Sequence, residues 1–521
     1  MLRLEGLSPV RGALLVSALA AALLLPPLGA RVIASSDEAR FALLARDIVT
    51  RGAWLDARVR GEVYRNKPPL LPWAIAALSR PAGGVSAATA RAPVAAAAIA
   101  TVAITFLLGH ALHGARVGLW AALIVLTSYG FFEHAERVLP DMLVALFATC
   151  ALRGLWLAAA RGRPPRAFYA WTALAVFAKG PMGLLPLAVA VAWLAAEAGA
   201  KGVRRLWSPG GAVIFVALTL VWLVPSLRLG SGTYVQGVVR QDWLAWYVGL
   251  SSPKALEHLV VGLLPWTLLL PLALGAVARA PLTPALRLEL AALAVPLALV
   301  LSSRNQLARY LLPCYPWAAL LIAWWLDRLA GAPSRAARAL GLAAAAAALA
   351  LVPALVVARP SARHWVPVLA PALAPAAAGV LVAGAALGAG LIRARARLAI
   401  YGGAAGMALA LGWGVWPYSA WTNATYDYPR LAAAINRQAG TSAAAVYATN
   451  MTLQIDFYAG HDLPALRSPT DVRRVLASPG HPIVAIDSPT WRASGEDLKR
   501  QVTALARVPI AGDDFTLFTR R

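Results

Sequence analysis

The most regular feature of the chain is a succession of apolar runs separated by short polar segments. A helix needs roughly 20 mostly apolar residues to cross a bilayer. The runs predict thirteen spans, of which the fifth is short enough to merge with its neighbour. The predicted spans are 12–33, 88–109, 116–132, 139–159, 167–178, 181–197, 210–228, 257–277, 285–301, 309–326, 338–358, 366–392 and 398–416.

The first run follows Arg3 and Arg11, as the apolar core of a secretory signal would. It is long for such a core, and many further spans come after it, so we interpret it as a retained first helix.

The pattern changes after Trp416, where short strand-like and helix-like segments alternate. The expected order is helix 428–438, strand 443–449, helices 451–459 and 469–477, strand 482–487, helix 494–505, and strands 506–511 and 514–520. The predicted fold class is thus an all-α polytopic membrane protein, residues 1–416, with a small C-terminal α/β soluble domain, residues 417–521.

Composition supports a lipid environment: 60% of the residues are hydrophobic and 14% are charged, with a mean hydropathy of +0.65. A net charge of +25 in a soluble protein would suggest nucleic acid as a partner. Here the basic residues lie in every second short loop, and loops rich in lysine and arginine face the cytoplasm. This pattern predicts a cytoplasmic N-terminus and a C-terminal domain on the outer side of the membrane. Cys150 and Cys314 lie in or beside apolar runs, so the sequence shows no disulfide framework.

Two outer loops, 34–87 and 229–256, are too long to be simple connections. Within the first, residues 37–50 have apolar side chains at helical spacing, which predicts a helix lying in the membrane interface. Pro68 and Pro69 would then end any preceding helix and begin a short apolar one.

Acidic residues gather on the predicted outer side, beginning with Asp37 and Glu38. One interpretation is helix capping, because residues 35–38 form a Ser-x-x-Glu capping box. The other makes Asp37 a general base, because a carboxylate in a partly dry cavity can take a proton from an attacking hydroxyl.

Tyr64 and Lys67 form a second cluster. An ammonium and a phenol suit the phosphate of a lipid head group, and a cation that merely snorkels to the interface is the alternative.

Glu133, His134 and Glu136 are close enough in sequence to bind a divalent cation, although a solvated loop is favoured over a metal site. Asp141 follows Pro140 at the start of a span, where burial of its charge would be costly without a purpose. Helix capping is the competing explanation for Asp141.

Lys179 joins two spans on the predicted outer side, where the positive-inside rule disfavours a lysine. Arg304, Gln306, Arg309 and Tyr310 lie at another outer helix entrance. Cations placed against the topological rule indicate an anionic ligand.

The run DEARFALLARDIVTRGAWLDARVRGEVYRNKPPLLPW (37–73) resembles the first outer loop of the bacterial 4-amino-4-deoxy-L-arabinose lipid A transferases. These enzymes belong with the wider protein O-mannosyltransferase-like membrane glycosyltransferases. AKGP (178–181), the Pro-Trp pair at 265–266 and SSRNQLARYLLPCYP (302–316) are similar to later segments of the family. The resemblance covers most of the membrane region in order.

The resemblance implies a C-type glycosyltransferase (GT-C) fold in the bacterial inner membrane and a sugar donor carried on polyprenyl phosphate, such as undecaprenyl phosphate. It implies that Asp37 is the principal catalytic carboxylate and Asp141 the second. Residues that would hold the donor phosphate are Arg40, Tyr64, Lys67, Lys179, Arg240 and Tyr310, with Arg40 also organising the first loop.

The chain departs from the family pattern at several positions. Phe41 replaces a tyrosine, Asn66 stands where a glutamate often precedes the lysine, and Gln306 and Ala308 replace lysine and proline. These changes do not alter the expected reaction class. They leave open whether the protein uses a divalent cation and whether its acceptor is lipid A.

The sequence therefore predicts sugar transfer from a lipid-phosphate donor to a lipid, glycan or protein acceptor on the periplasmic face. The expected partners are this donor, the acceptor and membrane lipids, with no nucleic acid. A transporter or lipid flippase is the main alternative, and a catalytically inactive relative that binds lipid is the third.

Overall fold

The computed structural model describes residues 7–64, 66–228, 253–329, 335–358, 362–448, 452–510 and 514–521. We number the helices and strands within these ranges in chain order. Those before residue 229 are α1 (Pro9–Leu24), α2 (Ser36–Arg51), β1 (Arg58–Val59), β2 (Glu62–Val63), α3 (Leu70–Ser79), α4 (Ala87–His113), α5 (Ala115–Leu126), α6 (Tyr129–Ala135), α7 (Asp141–Ala160), α8 (Arg166–Lys179), α9 (Leu185–Val203) and α10 (Pro209–Arg228).

The elements after residue 252 begin with further membrane-type helices and end with a sheet. They are α11 (Lys254–Gly262), α12 (Leu270–Val277), α13 (Pro284–Leu301), α14 (Tyr315–Asp327), α15 (Arg335–Ala358), α16 (Ala362–Ile392), α17 (Ala396–Thr425), α18 (Tyr428–Ala439), β3 (Ala444–Tyr447), α19 (Leu453–Ala459), α20 (Pro469–Leu476), β4 (Ile483–Asp487), α21 (Ser488–Ala493), α22 (Glu496–Gln501), β5 (Val502–Val508) and β6 (Phe515–Arg520). Short 3₁₀ helices lie at Gly180–Leu184, Arg204–Leu206, Trp266–Leu269 and Ala308–Cys314.

The chain packs into two compact units that are not contiguous in sequence. We call Met1–Pro26, Arg65–Leu71 and Ala92–Pro417 the membrane unit. We call Pro27–Tyr64, Pro72–Arg91 and Tyr418–Arg521 the loop–sheet unit. Most of the first outer loop therefore packs with the C-terminal residues, although the two segments are far apart in sequence.

In the described part of the chain, six helices are long and apolar enough to cross a membrane, or up to eight if two bent pairs each form one span. The chain is thus a multi-pass membrane protein, and the count of thirteen spans stays a prediction. Two of the predicted spans, 116–132 and 257–277, are bent in the structure. Helix α5 meets α6 at 66°, and α11 meets the Trp266–Val277 helix at 107°. The first predicted span is too long, because α1 ends at Leu24, just before Pro26 and Pro27.

Helices α4 and α5 approach each other closely within the membrane unit because small residues face each other. A β-carbon on Gly118 would lie 2.5 Å from the carbonyl oxygen of Phe106, and one on Gly109 would lie 2.6 Å from the α-carbon of Gly118. Lipid gives helices no hydrophobic reason to associate, so such close van der Waals packing stabilises the pair instead.

Four strands form a sheet near the C-terminus in the order β3-β4-β6-β5. Strand β4 runs parallel to β3 and antiparallel to β6, and β5 is antiparallel to β6. All five residues of β4 are buried. Ile483 and Ala485 pack into one core, and Val484 and Ile486 pack into another. The helix predicted over 494–505 is wrong in its second half, since β5 begins at Val502.

Candidate active site

Helix α2 of the loop–sheet unit carries Asp37 in its first turn. Its N-cap is Ser35, whose side-chain oxygen accepts a hydrogen bond from the Glu38 N–H at 3.2 Å, and Gly52 ends the helix with a φ of 71°. The Ser35 hydroxyl also lies 3.2 Å from the Glu38 carboxylate. Ser35 is thus the N-cap of α2, and Asp37 is not the capping residue.

The Asp37 carboxylate instead pairs with the next turn of the helix. Arg40 Nη1 donates to Asp37 Oδ1 at 2.9 Å, and the Asp37 side chain is 44% exposed. A carboxylate with that much access to its surroundings can reach a substrate, while the arginine limits its rotation. The role of Arg40 in organising the first loop stays a prediction.

Tyr64 lies beside Arg40 in the loop–sheet unit. The Arg40 guanidinium carbon is 5.9 Å from the centre of the Tyr64 ring, within the range of a cation–π contact. Phe41 meets Tyr64 edge to face, with ring centres 6.4 Å apart, and is itself buried. The phenylalanine that replaces the family tyrosine thus occupies an apolar packing position.

A second cluster lies in the membrane unit around Asp141, the first residue of α7. Pro140 is the N-cap of that helix, so the capping explanation for Asp141 is wrong. The Asp141 carboxylate forms a very short ion pair with Lys179, whose side chain is equally buried at 5% exposure. Arg309 Nε is 3.9 Å from the other carboxylate oxygen.

Tyr310 and Lys67 complete this cluster. The Lys179 ammonium lies 4.2 Å from the centre of the Tyr310 ring, and the Arg309 guanidinium carbon lies 5.6 Å from it. The positive charges of Lys67 and Arg309 both act on Lys179. Two cations, Lys179 and Arg309, thus lie beside the Asp141 carboxylate, and both also contact the Tyr310 ring. This arrangement at the ends of membrane-type helices suits an anionic group.

The candidate metal ligands have other partners. Glu133 forms an ion pair with Arg137, and His134 Nδ1 is 2.7 Å from the carbonyl oxygen of Gly130. Glu136 is buried. In the residues that the structure describes, no three His, Cys, Asp or Glu side chains are grouped to hold a metal ion. Arg240, a predicted phosphate ligand, lies outside the described residues.

The structure distributes the predicted residues between the two units. Asp37, Arg40 and Tyr64 belong to the loop–sheet unit. Lys67, Asp141, Lys179 and Tyr310 belong to the membrane unit. Each unit brings its own members together, even though they come from different parts of the sequence.

Comparison with known proteins agrees with the family resemblance. The family described as dolichyl-phosphate-mannose-protein mannosyltransferase matches residues 66–224. Relatives named undecaprenyl phosphate-alpha-4-amino-4-deoxy-L-arabinose arabinosyl transferase are 25% identical over 334 residues in Edwardsiella ictaluri and 28% over 342 residues in Pectobacterium carotovorum. These alignments cover 61% and 60% of the chain, and they span 59% and 58% of the relatives' own lengths.

Solved structures extend the similarity to nearly the whole chain. ArnT from Cupriavidus metallidurans, bound to undecaprenyl phosphate, matches with a TM-score of 0.80 and 20% identity over 97% of both chains. Its apo form gives a TM-score of 0.80 at 21% identity over 98% of both chains. The chain has the ArnT fold. The predicted resemblance to this ArnT-like, mannosyltransferase-like group is therefore confirmed.

The contacts of Arg309 with Asp141 and Tyr310 were not predicted from the sequence. In the sequence, Arg309 is one of several cations at a helix entrance, whereas the structure places its guanidinium beside Asp141. The one feature of the sequence that could have indicated a role for Arg309 is its position directly before Tyr310, in a segment that resembles the family. The pairing of Asp141 with Lys179 left no sequence signal, because 38 residues separate them.

Proposed function

We propose that this protein transfers a sugar from a polyprenyl-phosphate donor to an acceptor on the periplasmic face of a bacterial inner membrane. The observation that carries the proposal is the largely buried cluster of Lys179, Arg309 and Tyr310 around Asp141. Buried charges in a membrane protein are costly and mark sites that handle ions or charged substrates. The curated relatives, whose names specify an undecaprenyl phosphate-linked sugar, support the same donor class.

The reaction we propose is an inverting displacement at the anomeric carbon of the sugar. The acceptor oxygen or nitrogen forms a bond to that carbon, while the bond from the carbon to the phosphate oxygen breaks. The electron pair leaves with the lipid phosphate, and the acceptor proton goes to Asp37. No nucleotide is consumed.

The cationic cluster acts on the leaving group in this scheme. Negative charge grows on the bridging phosphate oxygen as the bond breaks, and Lys67, Lys179 and Arg309 stabilise that charge. The Tyr310 hydroxyl adds a neutral donor. Arg240 and Tyr64 remain further proposed phosphate ligands. The sugar is a pentose or hexose, and the acceptor is a lipid A-like lipid, a protein or a glycan.

The topology we propose follows the basic loops. The N-terminus is cytoplasmic, thirteen spans cross the membrane up to residue 416, and residues 417–521 form a periplasmic α/β domain. A donor carried by a membrane lipid suits this location, since no ATP is needed outside the cell.

The test of the activity is replacement of the proposed base. Asp37→Asn keeps the shape of the side chain and removes its capacity to take a proton, so transfer should fall by about 100-fold or more. Purified protein in liposomes with a polyprenyl-phosphate sugar gives the rate, read as released polyprenyl phosphate. Asp497→Asn is the matched control, because Asp497 is 73% exposed on α22.

Transfer by Asp37→Asn at the rate of the unaltered protein would remove Asp37 from the mechanism. Movement of the intact lipid-linked sugar between leaflets, with no polyprenyl phosphate released by the unaltered protein, would support the flippase instead.

A further inference from the structure

The start of α2 is held by helix α19 of the same loop–sheet unit. Gln454 donates through Nε2 to the Ala34 carbonyl at 2.8 Å, and its Oε1 accepts from the Ser36 hydroxyl at 3.1 Å. One turn further along α19, the Tyr458 hydroxyl accepts from the Ile33 N–H at 2.7 Å. Gln454 is only 4% exposed. These bonds fix the backbone immediately before Asp37.

The small hairpin that follows α2 is attached to the same helix. Arg60 donates from Nε to Asp456 Oδ2 at 2.5 Å and from Nη2 to Oδ1 at 3.0 Å, and Nη2 also reaches the Thr452 hydroxyl at 3.0 Å. Asp456 is fully buried. Planar two-point pairing of this kind specifies geometry as well as charge.

Two features of this attachment are energetically unfavourable by themselves. Arg60 has a φ of 53°, a left-handed conformation that favours glycine, asparagine or aspartate. Burial raises the pKa of the Asp456 carboxyl, and the Arg60 guanidinium opposes that shift. The two-point ion pair holds Arg60 in this conformation and offsets part of the cost of burying the carboxylate.

Helix α2 is attached to α19 at its middle as well. Arg46 Nη1 donates to the Asp456 carbonyl at 2.8 Å, and its Nη2 lies 3.3 Å from Asp462 Oδ1. The segment before α2, the helix itself and the hairpin after it are thus all held by residues 452–462.

We propose that α19 is the positioning element for Asp37, and that Gln454 and Asp456 are positioning residues that keep the first outer loop in the geometry needed for proton transfer. This inference rests on the proposed function and assigns the C-terminal residues a part in it. Ser36 precedes Asp37 directly, so loss of the Gln454 bonds would let the first turn of α2 shift. A misplacement of about 1 Å can lower a rate by about 100-fold.

The experiment uses Gln454→Met in the full-length protein, because methionine has a similar size and cannot make either bond. We expect kcat to fall by about tenfold or more, with the KM for the lipid-linked donor unchanged. Hydrogen exchange of residues 36–51 should become faster. Gln501→Met, at an exposed position that ends α22, is the matched control.

The combination with Asp37→Asn separates positioning from a merely structural role. If Gln454 acts through Asp37, adding Gln454→Met to Asp37→Asn lowers the residual rate no further, whereas independent effects would multiply. Arg60→Gln should give the same non-additive loss and serves as the second variant.

An unchanged kcat in Gln454→Met, or losses that multiply with those of Asp37→Asn, would overturn the inference alone. No transfer by the unaltered protein would overturn the proposed function and this inference together.

Discussion

Asp141 and Lys179 each carry a charge at a position where a charged side chain is unfavourable, and their ion pair explains how the fold accommodates both. An aspartate at the start of a span and a lysine against the positive-inside rule are each costly. In the structure each is largely buried beside the other, with Arg309 nearby. Neither residue alone makes this site.

Substitutions at this pair distinguish two roles of Lys179, which are to neutralise the Asp141 carboxylate and to bind the donor phosphate. Lys179→Met leaves the Asp141 carboxylate without its closest cation, so the protein should lose about 3–5 kcal/mol of stability and its transfer activity. Asp141→Asn combined with Lys179→Met removes both charges and should restore most of the stability, measured as Tm in detergent. Transfer should stay low in the double variant, because the proposed phosphate ligand is still missing. Full recovery of transfer would show that the pair is only structural.

Helix ends are the features that local sequence predicted best. Residues 37–50 predict a helix, and α2 runs from Ser36 to Arg51. Its cap at Ser35 and its stop at Gly52 act over a few residues, so they can be recognised without knowledge of the rest of the fold. The break between α5 and α6 was missed because average apolarity over a span does not reveal a bend.

Close helix packing gives a prediction at this scale. Gly118→Ala puts a methyl group against the Phe106 carbonyl, and α4 and α5 must separate to admit it. The expected loss is about 1–3 kcal/mol, measured as a lower Tm in detergent. Gly495→Ala is the control, since its added methyl meets nothing within 4 Å. Equal Tm values for Gly118→Ala and the unaltered protein would contradict close packing here.

At the scale of the whole molecule, the orientation of the protein in the membrane determines whether the site faces the periplasm or the cytoplasm. The proposed topology predicts that Arg474→Cys is labelled by a membrane-impermeant maleimide in intact spheroplasts, and that Arg163→Cys is labelled only after lysis. Both arginines are exposed in the structure. The native Cys150 and Cys314 are buried, so their background labelling should be small. The opposite pattern would place the site in the cytoplasm and exclude a periplasmic reaction.

The division into two units also belongs to this scale. The sequence predicts that the first outer loop belongs with the membrane region, and the domain boundary at residue 416 stays a prediction. In the structure, Pro27–Tyr64 packs with Tyr418–Arg521. Contacts such as Arg60 with Asp456 join residues 396 positions apart, and neither residue stood out in its own segment.

The sequence by itself determined the membrane environment, the cap of α2 and the family resemblance, because apolar length, capping and short motifs are local properties. It also supplied Asp37, Lys67 and Asp141 as candidates. Only the tertiary structure decided which charges meet: Asp37 with Arg40, Asp141 with Lys179, and Asp456 with Arg60. The physical reason is that a buried charge is stabilised by whichever opposite charge the fold brings within a few ångströms, and distance along the chain does not determine that partner.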